Sequence, residues 1–159
     1  MITMLICIKT NNIFENQSHT KSHHVNPTKI QMLEPITLGL LRIVSAYLFI
    51  FHGTTKLFQF PYIEKFANVP MASIFGVAGI LEVIGGMLLL LGLFTRPTAF
   101  VLSGFMAVAY IMGHVMNAGN FLMPILNGGE LAIVWSFVFL YISVKGAGAF
   151  ALDNMRQKA

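Results

Sequence analysis

The chain has 159 residues, 56% of them hydrophobic and only 10% charged, against about 25% charged in ordinary soluble domains. With a mean hydropathy of +0.74, that composition excludes a soluble globular domain, because too little polar surface exists to cover a core of this size. The net charge of +4 gathers at the two ends, with no basic stripe interleaved with aromatics, which argues against a nucleic-acid partner and for contact with membrane lipid.

Residues 1–31 form an apolar run, Met1 to Ile8, followed by a polar tail rich in Asn, Ser and His. The run is shorter than a signal-peptide core, has no basic region before it and no small-residue cleavage site after it. Cys7 stands alone, so an intramolecular disulfide, a CxxC redox pair and a cysteine-rich metal site are excluded. His19, His23 and His24 read as part of a solvated tail rather than a metal site. Met32 just before the first apolar span offers an alternative start, so the expected organisation is a disordered tail over 1–31 and one membrane domain over 32–159.

Crossing a hydrocarbon core of ~30 Å takes about 20 apolar residues in a helix. Four segments qualify: 36–57, 71–94, 98–116 and 130–150. Breakers separate them: Pro61 and Pro70, then Arg96-Pro97, then Asn117 through Asn127-Gly128-Gly129. Alternating strand patterns are absent, which sets aside a β-barrel. The expected fold is all-α, an integral-membrane bundle of four transmembrane helices. Lys9, Lys21, Lys29, Arg96, Lys145, Arg156 and Lys158 fall on one side of such a bundle, and only Lys56 and Lys65 on the other. The excess of positive charge then places both termini in the cytoplasm.

Ionisable groups inside spans are expensive, about 2.5–3.5 kcal/mol each on insertion scales, so they face protein or water. Arg42, Ser45, Phe49, His52 and Lys56 share one face of the first span, and Ser103, Tyr110, His114 and Asn117 one face of the third. Glu82 sits near the middle of the second span. Its neighbours one turn away are Ala78, Gly79, Gly85 and Gly86, small residues that admit another helix backbone. Arg42 is the expected partner of Glu82, either as a structural ion pair or beside a carboxyl held neutral. His52, Lys56, His114 and Glu130 share a depth near the outer boundary and suggest a pocket. Their plainer readings are packing histidines, a lysine snorkelling to headgroups and a carboxylate at a helix N-terminus.

These residues resemble the DoxX family. The resemblance is carried by Arg42 with Phe51-His52-Gly53-Thr54-Thr55-Lys56-Leu57, by Gly79-Ile80-Leu81-Glu82-Val83-Ile84-Gly85-Gly86, and by Leu90-Leu91-Gly92-Leu93-Phe94-Thr95-Arg96-Pro97. It continues through His114, Asn127-Gly128-Gly129-Glu130 and Gly146-Ala147-Gly148 with Leu152-Asp153, where Ala151 replaces the family's serine. The resemblance covers about residues 33–155. It implies a four-helix protein of the bacterial cytoplasmic membrane. Some members are subunits of a thiosulfate:quinone oxidoreductase, others belong to oxidative-stress complexes, and many have no assigned activity.

Joined to the buried charges, the resemblance suggests a quinone-reactive subunit of a membrane redox complex. In that reading Glu82, His52, His114 and Glu130 are the catalytic candidates, Arg42 and Lys56 line the quinone pocket, and no metal is bound. Without a nucleotide motif, electrons come from a partner redox subunit; a further copy of the chain is the other protein partner considered. The alternative is a non-catalytic scaffold or a solute or ion pathway. A haem held by His52 and His114 is a weaker option.

Overall fold

The structure, a computed structural model, describes residues 27–156; the expectations for residues 1–26, including the histidine-rich tail, lie outside them. Met1–Met32 and Leu33–Ala159 form separate units, and every contact below lies within the second. The described elements are helical, with no strand among the described residues. The principal ones are α1 (Pro27–Phe58), α2 (Ile74–Leu91), α3 (Thr95–Tyr110), α4 (Glu130–Lys145) and α5 (Leu152–Arg156). One π-helical turn, Ile111–Val115, and a last α turn, Met116–Ala118, extend α3.

Local chemistry sets the ends of α2. The Ser73 hydroxyl accepts the Gly76 N–H at 3.2 Å and caps its start. At its end Gly92 adopts a left-handed φ of 67°, and the Leu93 N–H closes back on the Leu88 carbonyl at 2.9 Å, a glycine-terminated helix C-cap. Only Leu93 and Phe94 then separate Gly92 from α3, so α2 and α3 run as an antiparallel hairpin. Phe94 has no side chain able to cap α3. That task falls to Asp153, far along the chain, whose carboxylate accepts the N–H groups of Phe94 at 2.9 Å and Thr95 at 2.8 Å.

Among the described residues, three helices are long and apolar enough to cross a membrane: Gln31–Phe58, Ile74–Leu91 and Thr95–Ala118. The expected fourth span, 130–150, is helical only as far as Lys145, 16 residues, or roughly 24 Å at 1.5 Å per residue. Gly146 (φ 96°) and Gly148 (φ 66°) end it, and the chain turns back so that the Ala149 N–H reaches the Pro35 carbonyl of α1 at 2.7 Å. The surface is apolar where a soluble protein would be polar: Leu40, Val44, Ile84, Phe100, Val134 and Phe137 are all exposed. Such a surface suits hydrocarbon rather than water.

The interior holds both apolar rings and polar groups. Phe49 of α1 is fully buried and meets Trp135 and Phe139 of α4 edge-on, each at 5.0 Å between ring centres. Ser103 of α3 and Ser136 of α4 each donate a hydroxyl to the other's carbonyl, at 2.8 and 3.0 Å. Against α1, α2 presents glycine. A Cβ on Gly53 would stand 2.7 Å from the Gly79 carbonyl oxygen, and one on Gly86 would stand 2.6 Å from Ile50 Cγ1. Gly85 faces the other way, against Leu102 of α3. The small residues around Glu82 therefore admit two neighbouring helices.

Candidate functional site

Glu82 sits mid-way along α2 and is buried. Its carboxylate is held by Lys56, with Nζ 2.5 Å from Oε1 and 2.6 Å from Oε2. The expected partner was Arg42; the structure corrects this, because Lys56 is nearer in the geometry of α1 and α2. The Lys56 stem passes Gly79, where a Cβ would lie 3.1 Å from Lys56 Cβ. The missing side chain gives the lysine a path inward to the carboxylate. Lys56 thus does not snorkel outward: its side chain keeps only 11% of its exposure, and that of Glu82 5%. The Phe66 ring, 5.6 Å from the ammonium, covers it from the connecting segment.

Arg42 belongs to a different centre at the other end of the bundle. It is fully buried, and each of its five N–H donors has a backbone carbonyl. Nε donates to Ala147 at 2.8 Å. Nη1 donates to Leu89 and, at 2.9 Å, to Leu90. Nη2 donates to Ala149 at 3.1 Å and Phe150 at 2.8 Å. The guanidinium so gathers two of the last carbonyls of α2, Leu89, which also accepts the Gly92 N–H at 3.1 Å, and Leu90 in the last turn, together with those of the segment after α4. A cation suits this place, since the carbonyl end of a helix carries partial negative charge. With its donors saturated, Arg42 has none left for a ligand.

Nearby, burial of the Asp153 carboxylate, which alone raises its pKa, is outweighed by the N–H groups of Thr95 and Phe94 and by the charge of Arg156, so the acid titrates below the usual range. Asp153 and Arg42 together fix the C-terminal segment beneath α2 and α3.

The remaining candidates are distributed. His52 lies one turn from Lys56 on α1; its ring is exposed on one side and meets Trp135 of α4 edge-on at 4.8 Å. His114 lies in the π-helical turn of α3, with Nδ1 3.0 Å from the Asn127 carbonyl and its ring stacked on Tyr110. Such turns often mark functional positions. Tyr110 donates to the Phe121 carbonyl at 2.6 Å, so His114 and Tyr110 moor the segment after α3. Glu130 is exposed at the first turn of α4. No hydrogen bond among the described residues joins His52, His114 or Glu130 to the Lys56–Glu82 pair, and the two histidines are held by different neighbours. Of the residues grouped by depth, Lys56 is the one bonded to Glu82, with His52 one turn from it on α1; His114 is bonded instead to the Asn127 carbonyl.

A family profile described as DoxX matches residues 37–115. The chain is also 49% identical over 126 residues to a Haemophilus influenzae protein named "Uncharacterized protein", covering 79% of this chain and 94% of that one. The chain belongs to the DoxX family. A further relative, "Inner membrane protein YphA" of Escherichia coli strain K12, is 27% identical over 127 residues, 76% of this chain and 90% of that one. No solved structure matches the chain. The DoxX match encloses Arg42, His52, Lys56, Glu82 and His114, whereas Glu130 and the Asp153 cap lie beyond it. As a member of this family the chain is a membrane protein, and its apolar exterior agrees with that. Sequence reading did not single out Asp153 as a cap or Lys56 as an inward partner. Leu152-Asp153 stood out as a family ending, and Gly79 one turn from Glu82 was the signal for the lysine's route.

Proposed function

We propose that this DoxX-family protein spans a bacterial inner membrane four times with both termini in the cytoplasm, and that it binds a quinone at His52, beside a proton-labile Lys56–Glu82 pair, as a subunit of a membrane redox complex. For the fourth span, support comes from α4 lying along α3 through the Ser103–Ser136 bonds and along α1 through Phe49; a short helix is accommodated by local bilayer thinning. The orientation rests on charge. With Lys56 turned inward, Lys65 alone remains at its end to oppose Arg96, Lys145 and Arg156. The Escherichia coli relative is named an inner membrane protein. A reporter fused at Asn120 is expected to read outside the cytoplasm; a cytoplasmic reading contradicts this topology.

One observation carries the quinone reading: an imidazole exposed on the flank of a membrane helix, one turn from a buried ion pair. An imidazole facing hydrocarbon without a partner is unfavourable, and a quinone carbonyl arriving from the bilayer supplies an acceptor for its N–H. Trp135 holds the ring in place. Lys56 and Glu82, joined by the ammonium–carboxylate hydrogen bonds, are the pair that would release or take a proton, while electrons enter from a partner subunit. Protein purified in mild detergent and extracted for quinone is expected to yield it, and His52→Phe to retain about tenfold less, the loss of roughly one hydrogen bond. Equal content in both proteins, or none in either, contradicts the reading.

A further inference from the structure

At the end of the bundle organised by Arg42, a cavity of about 820 Å³ opens between the start of α1's buried stretch, the first turn of α3 and the segment after α4. Three cations, Arg96, Lys145 and Arg156, and two carboxylates, Glu34 and Asp153, line it. Both carboxylates are engaged. Glu34 bridges Lys145, and Asp153 caps α3 through the N–H groups of Phe94 and Thr95. Arg96 and Arg156 have neither a salt bridge nor a side-chain hydrogen bond among the described residues, although the charge of Arg156 acts on the Asp153 carboxylate.

These two guanidiniums are nonetheless positioned. Arg96 lies on the backbone of Gly146, where a Cβ would stand 3.2 Å from its Nε. Gly146 has a φ of 96°, so a side chain there is disfavoured by the backbone as well as by the arginine. Arg156 is seated over the Phe94 ring at 4.9 Å, a stacking that leaves its N–H edge free. The cavity also has an apolar margin, from Leu38 and Pro97. Arg42 holds up one wall through Ala147.

We infer that this cavity is a binding site for an anionic phosphate group, with Arg96 and Arg156 as its two forks. Planar guanidiniums bind phosphate oxygens two at a time. Basic pockets at the cytoplasmic ends of membrane helices suit anionic headgroups, and the apolar margin suits the glycerol and first methylenes of a phospholipid. A free phosphate would satisfy the same two arginines without that margin, so the two sources share one chemistry and differ in what the margin contributes.

The full chain, delipidated in a maltoside detergent, is titrated with phosphatidylglycerol, phosphatidylcholine and inorganic phosphate, and followed by native mass spectrometry and thermal unfolding. Phosphatidylglycerol is expected to bind and raise the unfolding temperature, and phosphatidylcholine to do neither. Arg96→Gln with Arg156→Gln is expected to weaken phosphatidylglycerol about tenfold or more, and Lys65→Gln, at the opposite end, to leave it unchanged. Inorganic phosphate that displaces the lipid at millimolar concentration and stabilises as well as the lipid assigns the same site to a soluble phosphate. If the glutamine variant does not accumulate, Arg96→Lys with Arg156→Lys decides, because it keeps the charge and loses the forks: weakened binding upholds the site. Wild-type affinity in either double variant, or equal binding of the two lipids, overturns it.

Discussion

Arg42→Gln is expected to lower the unfolding free energy in detergent by about 3–5 kcal/mol, the scale of two or three buried carbonyls losing their donors, and Arg42→Lys to lose nearly as much. The reason lies in the number and geometry of donors. Five carbonyls, from Leu89, Leu90, Ala147, Ala149 and Phe150, converge on one planar group. Glutamine offers two N–H donors and lysine three, and neither reproduces the fork. Carbonyls left without donors in a dry interior each cost about 1–3 kcal/mol, less whatever the C-terminal segment regains by moving into water. That segment should become the weak point: in the variants it is expected to be cut by protease near Gly146–Phe150 while α1 to α3 stay protected. Thermal unfolding and limited proteolysis of the two variants check this. Stability of Arg42→Lys at the wild-type level contradicts the clamp.

The polar stripe of α1 was legible because helical periodicity places Arg42, Ser45, Phe49, His52 and Lys56 on one side; four of the five turn inward, and His52 is exposed. The close packing around Glu82 was legible in its glycines for a similar reason: a missing side chain is visible in a sequence. Partner choice was not. Arg42 and Lys56 both had the reach for Glu82, and the difference was made by backbone carbonyls of a segment more than a hundred residues away. Backbone acceptors belong to every residue and leave no mark in composition. The end of α4 escaped for a related reason. Gly146-Ala147-Gly148 stood out as a family signature, whereas its physical meaning, a helix stop at positive φ, depends on where Arg42 collects the carbonyls. Depth grouped His114 and Glu130 with Lys56, and the hydrogen bonds among the described residues join neither to the Lys56–Glu82 pair. Depth is read along a helix axis, but contact also depends on which way each face is turned.

Lys56 and Glu82 should behave as one unit. Lys56→Met strands a carboxylate and Glu82→Gln strands an ammonium. Each is expected to cost about 3–5 kcal/mol, and the double change to cost clearly less than their sum, because a buried pair removed whole leaves no unpaired charge. Arg42→Gln combined with Glu82→Gln, by contrast, is expected to be additive to within about 0.5 kcal/mol, since the two groups share no partner. The double variant Lys56→Met, Glu82→Gln then separates architecture from chemistry, because it is expected to fold without the ion pair. The deciding measurement is its unfolding free energy together with its bound quinone, on one purified sample. A folded double variant, with less than the summed loss and its quinone content well below wild type, is the predicted result. Additive losses contradict the pair itself, and a folded double variant holding quinone at the wild-type level contradicts its place in the function.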